Sequence, residues 1–396
     1  MTTAVAELSA LARQFGDLAL VELSTDADVF DGGIGYRLHA GKLVTLSARH
    51  CSLTMLPDSV AVFADLHQLD LTGNRLASLP ASFSQSIHLE HLFLDDNNFA
   101  VLPGWIGQLS QMRELHVDDN HLTSLPASLG ELPNLHSLHV LNNRLTTLPP
   151  SLWEAPSLEQ LFVGGNPLRK LPNAIGQLRG LRELYVHSSD LIELPDALGD
   201  LTHLQTLDAG HNALTALPEA LGKLTQLTHF LYLSNNRLTT IAAILFEDMS
   251  HLRYLNLTDN ALTTLPDSLG KLTALRELRL YNNRLMALPD TIGALVHLEE
   301  AHLMNNALVD LPSSVHALTA LTTLDLRRNH LPQVPACLRD LPRLRHLDLR
   351  SNRLTVIPSW MADLPALEKL DLRWNKLRVL PSWLEALAAR GCRVLV

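Results

Sequence analysis

The sequence predicts an α/β solenoid, and three periodic features predict it. Asparagine recurs every 23 residues at Asn74, Asn97, Asn120, Asn143 and Asn166, and after a break at Ser189 it returns at Asn212, Asn236, Asn260, Asn283, Asn306, Asn329, Asn352 and Asn375. Each stands in the frame L-x-x-L-x-L-x-x-N-x-L, as in LHQLDLTGNRL from Leu66 to Leu76, and Cys51 holds the same place one period earlier. A Leu-Pro pair follows most frames, from Leu56-Pro57 and Leu79-Pro80 to Leu380-Pro381. A unit this short cannot bury its apolar side alone, so it stacks on its neighbours.

Each part of the unit has a physical reason. Leu69 and Leu71 alternate with Gln68, Asp70 and Thr72, the period-two pattern of a strand with one buried face. The asparagine follows the strand, where its amide can donate and accept for backbone groups that turn away from it. Proline, with fixed φ and no N–H, suits the start of a short helical turn on the opposite side. Cys51 fits an end coil, where half of the amide ladder is missing.

The x-L-x-x-L-P signature and the following x-x-L-G-x-L, as in PASLGEL at Pro126–Leu132 and PDSLGKL at Pro266–Leu272, resemble the 23-residue class of leucine-rich repeat proteins. Members include Ras-pathway scaffolds, plant Ras-group proteins and many bacterial repeat proteins. Fifteen consecutive units, about Leu43 to Leu380, carry the resemblance. It implies a leucine-rich repeat horseshoe with a parallel concave β-sheet and short helical or irregular convex segments. By analogy it makes a small GTPase or a kinase a partner class.

Three segments are expected. Residues 1–40 form an N-terminal capping segment, with Val5, Leu8, Leu11, Phe15 and Leu18 at helical spacing and Asp26 to Gly35 as a loop. Residues 41–382 form the solenoid. Residues 383–396 form a C-terminal cap, a helix and then a closing strand in which Cys392, Val394 and Val396 alternate. Two units run to 24 residues. In one the extra residue lies in LTHFLYL, Leu227–Leu233, which suggests a bulge or a changed coil angle. In the other, Ile241-Ala242 replaces Leu-Pro, and Phe246 takes a convex-side position known from a longer repeat class.

Composition narrows the function. Cys51, Cys337 and Cys392 give neither a disulfide framework nor metal spacing. The first residues lack a basic region and a long apolar run, so a signal peptide is not expected, nor is a membrane span. The reading is a cytoplasmic chain, with secretion as an effector as the alternative. No phosphate loop, G-x-S-x-G, H-E-x-x-H or kinase signature is present, so no enzyme activity, cofactor or metal is expected. His116 and His139 occupy equivalent slots one coil apart, with Asp118 and Asp119 close by. Two histidines and a carboxylate could bind zinc, but stacked side chains on an interaction surface are the preferred reading.

The outward strand positions carry the functional signal. Between the two strand leucines stand Phe93, His116, His139, Phe162, Tyr185, Asp208 and Tyr232, and flanking outward slots add Phe230 and Tyr254. The fold needs no aromatics there, and aromatic anchors are typical of binding surfaces. Their truncation is expected to remove no core contact. With Asp118 and Asp119, these residues form the expected partner-binding set.

Charge is polarised along the same positions. Asp95, Asp96, Glu114, Asp118 and Asp119 gather early, and Arg279, Arg327, Arg328, Arg350, Lys369 and Arg373 late. Residues 321–396 hold 13 Lys and Arg against 7 Asp and Glu, whereas the whole chain carries −10. Carboxylates alternate with the late cations at Asp325, Asp348 and Asp371, which argues against a nucleic-acid surface. The expectation is a monomeric, non-catalytic scaffold that binds a protein of unknown identity. The alternatives are a bacterial effector that recognises a host protein and, third, a GTPase activator acting through an exposed arginine.

Overall fold

The computed structural model describes residues 3–16, 18–25 and 30–396, which fall into two compact units, Met1–Asp190 and Leu191–Val396. In the first unit, helix α1 (Thr3–Gln14) precedes β1 (Leu20–Glu22), β2 (Ile34–His39) and β3 (Lys42–Ser47). Strands β4 (Gln68–Asp70), β5 (His91–Phe93), β6 (Glu114–His116), β7 (Ser137–His139), β8 (Gln160–Phe162) and β9 (Glu183–Tyr185) follow at one per repeat. From β3 to β9 every strand pairs in parallel with the next, whereas β2 pairs antiparallel with β3 and parallel with β1.

The second unit is a run of parallel strands in chain order. They are β10 (Thr206–Asp208), β11 (Phe230–Tyr232), β12 (Tyr254–Asn256), β13 (Glu277–Arg279), β14 (Glu300–His302), β15 (Thr323–Asp325), β16 (His346–Asp348) and β17 (Lys369–Asp371). Helix α2 (Trp383–Ala389) leads into β18 (Arg393–Leu395), which pairs with β17. Each unit is thus an open, mostly parallel stack of coils, as the periodicity predicts.

Strand alternation sets the two faces. In β6, Leu115 is fully buried while Glu114 and His116 are half-buried on the outward side. After each strand, the residue before the ladder position takes a left-handed turn, from His50 at φ 51° to Trp374 at φ 60°. Glycine, Asn, Asp, Ser and His fill most of these places, as short polar side chains tolerate that region best.

The ladder asparagine then ties two coils together. Asn97 accepts the Leu76 N–H at 2.9 Å and donates to the carbonyls of Leu71, Leu94 and Asp95 at 2.9, 3.1 and 3.1 Å. Cys51 imitates it with a thiol that donates to the Gly33 and Arg49 carbonyls at 3.3 and 3.2 Å. At Ser189 the hydroxyl donates to the His187 carbonyl at 3.0 Å, and the Leu168 N–H bonds the Asn166 carbonyl at 2.7 Å.

On the other side lie thirteen 3-10 turns among the described residues, each with a proline directly before it. The unit with Ile241-Ala242 forms an irregular turn instead, and Ile241 and Phe246 are buried there. Several turns carry a glycine because the next coil comes close. A Cβ on Gly130 would overlap the Ser151 carbonyl, and one on Gly270 would crowd Thr291.

Three local expectations change. The N-terminal helix ends at Gln14, so Phe15 and Leu18 lie beyond it, and Leu8 and Leu11 are buried on it together with Ala4 and Ala12. The loop expected over Asp26–Gly35 gives way to β2 from Ile34, and residues 26–29 of that loop lie outside the described residues. The extra residue near Leu227 is absorbed as a bend at His229, ahead of β11, and the β10–β11 register runs without a shift, so the ladder has no bulge.

Candidate functional site

Parallel pairing in register puts equivalent outward side chains of successive strands directly side by side. Phe93 pairs with His116, His116 with His139, His139 with Phe162, and Phe162 with Tyr185. The five rings form a column. Phe93 meets His116 edge-on at 4.8 Å between centroids, and the next three pairs stack face to face at 3.8, 3.9 and 4.4 Å. All five are half-buried. They lie on the outward side of the strands and pack on one another, and such contacts contribute about 0.5–1.5 kcal/mol each.

The stacking also answers the zinc question for this pair. The His116 and His139 rings are 13° from parallel at 3.8 Å. A ligated metal lies in the plane of each imidazole, and two parallel planes share no such point.

Carboxylates border the column. Asp95 and Asp118 sit two residues beyond the rings of their own strands, each near the next coil's imidazole: Asp95 to His116 at 3.9 Å and Asp118 to His139 at 3.8 Å. Both also hold backbone, since Asp95 accepts the Asp118 N–H at 2.7 Å and Asp118 accepts the Leu141 N–H at 2.5 Å. Asp118 therefore has a structural duty that the sequence reading did not assign. Asp119 is exposed at a left-handed turn, φ 53°, and accepts the Asn142 amide at 3.0 Å. On the other border, Glu114 meets His91 at 3.1 Å and Glu183 accepts the Gln160 amide at 2.8 Å.

Burial shapes the titration here. Desolvation pushes the Asp95 carboxyl up to about 7, with the Asp118 N–H opposing and the Asp118 charge adding to it. Desolvation, aided by the neighbouring His139, lowers His116 to about 4. The hydrogen bond from His91 holds Glu114 below the ordinary carboxylate range, and that contact raises His91 in turn.

The second unit holds the remaining expected residues. Tyr232 and Tyr254 lie 4.9 Å apart, Phe230 lies 5.6 and 5.5 Å from them, and Arg279 sits over the Tyr254 ring at 5.5 Å. Asp208 accepts the Gly210 N–H at 2.9 Å. Further along, the cations are locally answered: Arg327 by Asp325 at 3.0 Å, Arg350 by Asp348 at 2.6 Å, and Arg373 by Asp371 at 2.7 Å. Burial works to raise Asp371, but the Arg373 hydrogen bonds and the Arg350 and Arg373 charges outweigh it and hold it low. Glu277, Glu300 and His302 converge within 4.8 Å, yet Arg279 at 2.5 Å and His302 at 3.1 Å already pair with the two glutamates. The sequence reading missed Glu183 on the column's border and the exposed Trp374, which lies 6.0 and 5.2 Å from Arg350 and Arg373.

Comparison with known proteins agrees with this architecture. The family model described as Leucine rich repeat matches residues 64–122, 110–168, 133–191, 229–285, 296–354 and 334–377. A model of two copies of the repeat matches 202–245. No curated protein matches the sequence. A leucine-rich repeat protein of Leptospira interrogans aligns with a TM-score of 0.85 at 28% identity, covering 98% of each chain. A plant peptide hormone receptor in complex with RGF2 aligns at 0.67 and 29% identity, covering 84% of this chain and 60% of its own. YopM from Yersinia enterocolitica aligns at 0.59 and 27% identity, covering 85% and 72%.

Proposed function

The chain belongs to the leucine-rich repeat family, and from that premise we propose that it is a non-catalytic scaffold that binds a protein partner on the outward face of its strands. The five-ring column from Phe93 to Tyr185 carries this reading. Its rings lie outside the core, so packing of the fold does not call for them. A row of large, mutually stacked side chains is rigid, and ordering it at an interface costs little entropy. The similar plant structure is a peptide hormone receptor in complex with RGF2, and binding of a polypeptide is proposed for this chain as well. The second unit's Phe230, Tyr232 and Tyr254 are proposed as a further contact with Asp208 as a polar neighbour, and Asp119 is proposed as a polar neighbour of the first unit's column. Among the described residues no helix is long and apolar enough to cross a membrane.

Selection of random dodecapeptides displayed on phage against the immobilised protein tests this. Peptides selected on the unaltered chain should lose at least tenfold in affinity, about 1.4 kcal/mol, on the double variant Phe162→Ala, Tyr185→Ala. Selected peptides that bind the double variant equally well would move the site off this face.

A further inference from the structure

We propose that the column in the first unit recognises a basic polypeptide segment, one whose arginine or lysine stems lie along the rings while their charged heads reach the bordering carboxylates. The inference rests on the reading of this face as the binding surface and adds the chemistry of the partner.

Ring geometry comes first. Because the central rings cover each other's faces at 3.8–4.4 Å, the column presents mainly ring edges outward. Cation–π contact needs an open face, so the column offers a strip of the carbon edges of Phe93, Phe162 and Tyr185 with two imidazole edges between them, and no seat for a bare cation. Long basic side chains suit such a strip, since their methylene stems cover apolar surface and their heads go elsewhere.

The border supplies that elsewhere. Asp95 and Asp118 flank the strip on one side, and Glu114 and Glu183 on the other. The outward positions of β5 to β9 contain no lysine or arginine. Nor do these four carboxylates make an ion pair to Lys or Arg among the described residues; their side-chain partners are His91, His116, His139 and Gln160. The contrast with the second unit is internal to this chain, where Asp325, Asp348 and Asp371 each hold an arginine. Residues 1–190 carry 20 Asp and Glu against 11 Lys and Arg, a surplus of 9 negative charges that steers a cationic partner to this unit. With strands about 4.8 Å apart, five of them span about 19 Å, the length of roughly six extended residues.

Fluorescence anisotropy with a labelled (Arg-Gly)4 peptide tests the proposal, beside (Gln-Gly)4, (Glu-Gly)4 and a single-stranded DNA of the same label. The arginine peptide should bind at least tenfold more tightly than the other three. The double variant Glu114→Gln, Glu183→Gln touches no backbone bond. It should weaken the arginine peptide at least fivefold and flatten its salt dependence, with unchanged thermal melting. Equal binding of the neutral or acidic peptide or of DNA overturns the proposal, as does an unchanged affinity in the carboxamide variant. Displacement by spermine at equal charge concentration would show a polyamine site and overturn it too. The peptide selection separates the two readings. If selected peptides fail on Phe162→Ala, Tyr185→Ala but are not basic and ignore the carboxamide change, the face stands and the basic partner falls. If they ignore the ring variant, both fall.

Discussion

Asp95 and His116 face each other at 3.9 Å and titrate in opposite senses. The folded Asp95 holds its proton up to about 7. Its native state therefore binds more protons than the unfolded chain above pH 4, and its contribution makes stability fall as pH climbs from about 4 to about 7. His116, lowered to about 4, resists protonation that the unfolded imidazole accepts, so its contribution makes stability rise between about 4 and about 6.5. The two slopes oppose across one window. Asp95→Asn keeps an oxygen to accept the Asp118 N–H and removes only the falling slope. Urea unfolding at a series of pH values should then show stability rising from pH 4 to 7 more steeply than in the unaltered chain. Identical profiles would mean that the Asp95 carboxyl is better solvated than its surroundings imply. The sequence shows which of these side chains leave the strand outward, because alternation fixes that at every repeat. It does not show that Asp118 clamps the Leu141 N–H, since that depends on how the next coil turns. Nor does it show that His116 and His139 stack, which rotamers decide.

At the scale of one element, the turn opposite the strand explains both the proline and the glycine of the repeat. Proline stands just before each 3-10 turn with φ between −58° and −76°, its natural range. Glycine later in the turn is a matter of space, and position matters more than residue type. Gly130 packs against the Ser151 carbonyl, whereas a Cβ on Gly104 meets nothing within 4 Å. Gly130→Ala should therefore cost about 1–3 kcal/mol by overpacking. Gly104→Ala should be neutral or gain up to about 1 kcal/mol by restricting the unfolded chain. Chemical denaturation of the two variants checks the pair, and equal losses would refute the packing account. Strands and turns within the repeat were legible because each is displayed many times over. The β2–β3 hairpin was not, since residues 1–40 contain no repeat to compare, and Leu18 shares the spacing of Leu8 and Leu11 without sharing their helix.

At the scale of the whole chain, a stack of coils depends on neighbours, and the first coil of the first unit and the last coil of the second are each flanked by a segment outside the repeat. At the start, α1 brings buried Leu8 and Leu11, and the thiol of Cys51 takes the ladder's first place by donating to Gly33. At the finish, β18 continues the ladder of β17, with the Leu372 N–H donating to the Leu395 carbonyl at 2.7 Å, while α2 buries Leu384 and Leu387. Arg390 adds a bond to the Leu364 carbonyl at 2.8 Å. We propose that both segments are caps. An uncovered β17 would present a row of unpaired N–H and C=O groups beside Leu370 and Leu372, a template for pairing with another chain. Deleting residues 381–396 removes β18 and α2 but no ladder asparagine. The shortened protein should melt earlier and form concentration-dependent oligomers by light scattering, with the full chain as reference. Arg393→Glu, which reverses an exposed charge on β18 and leaves its backbone pairing in place, should do neither. A truncated protein with the melting temperature and mass distribution of the full chain would show that the last coil is stable with its edge open, and the segment would then need another role.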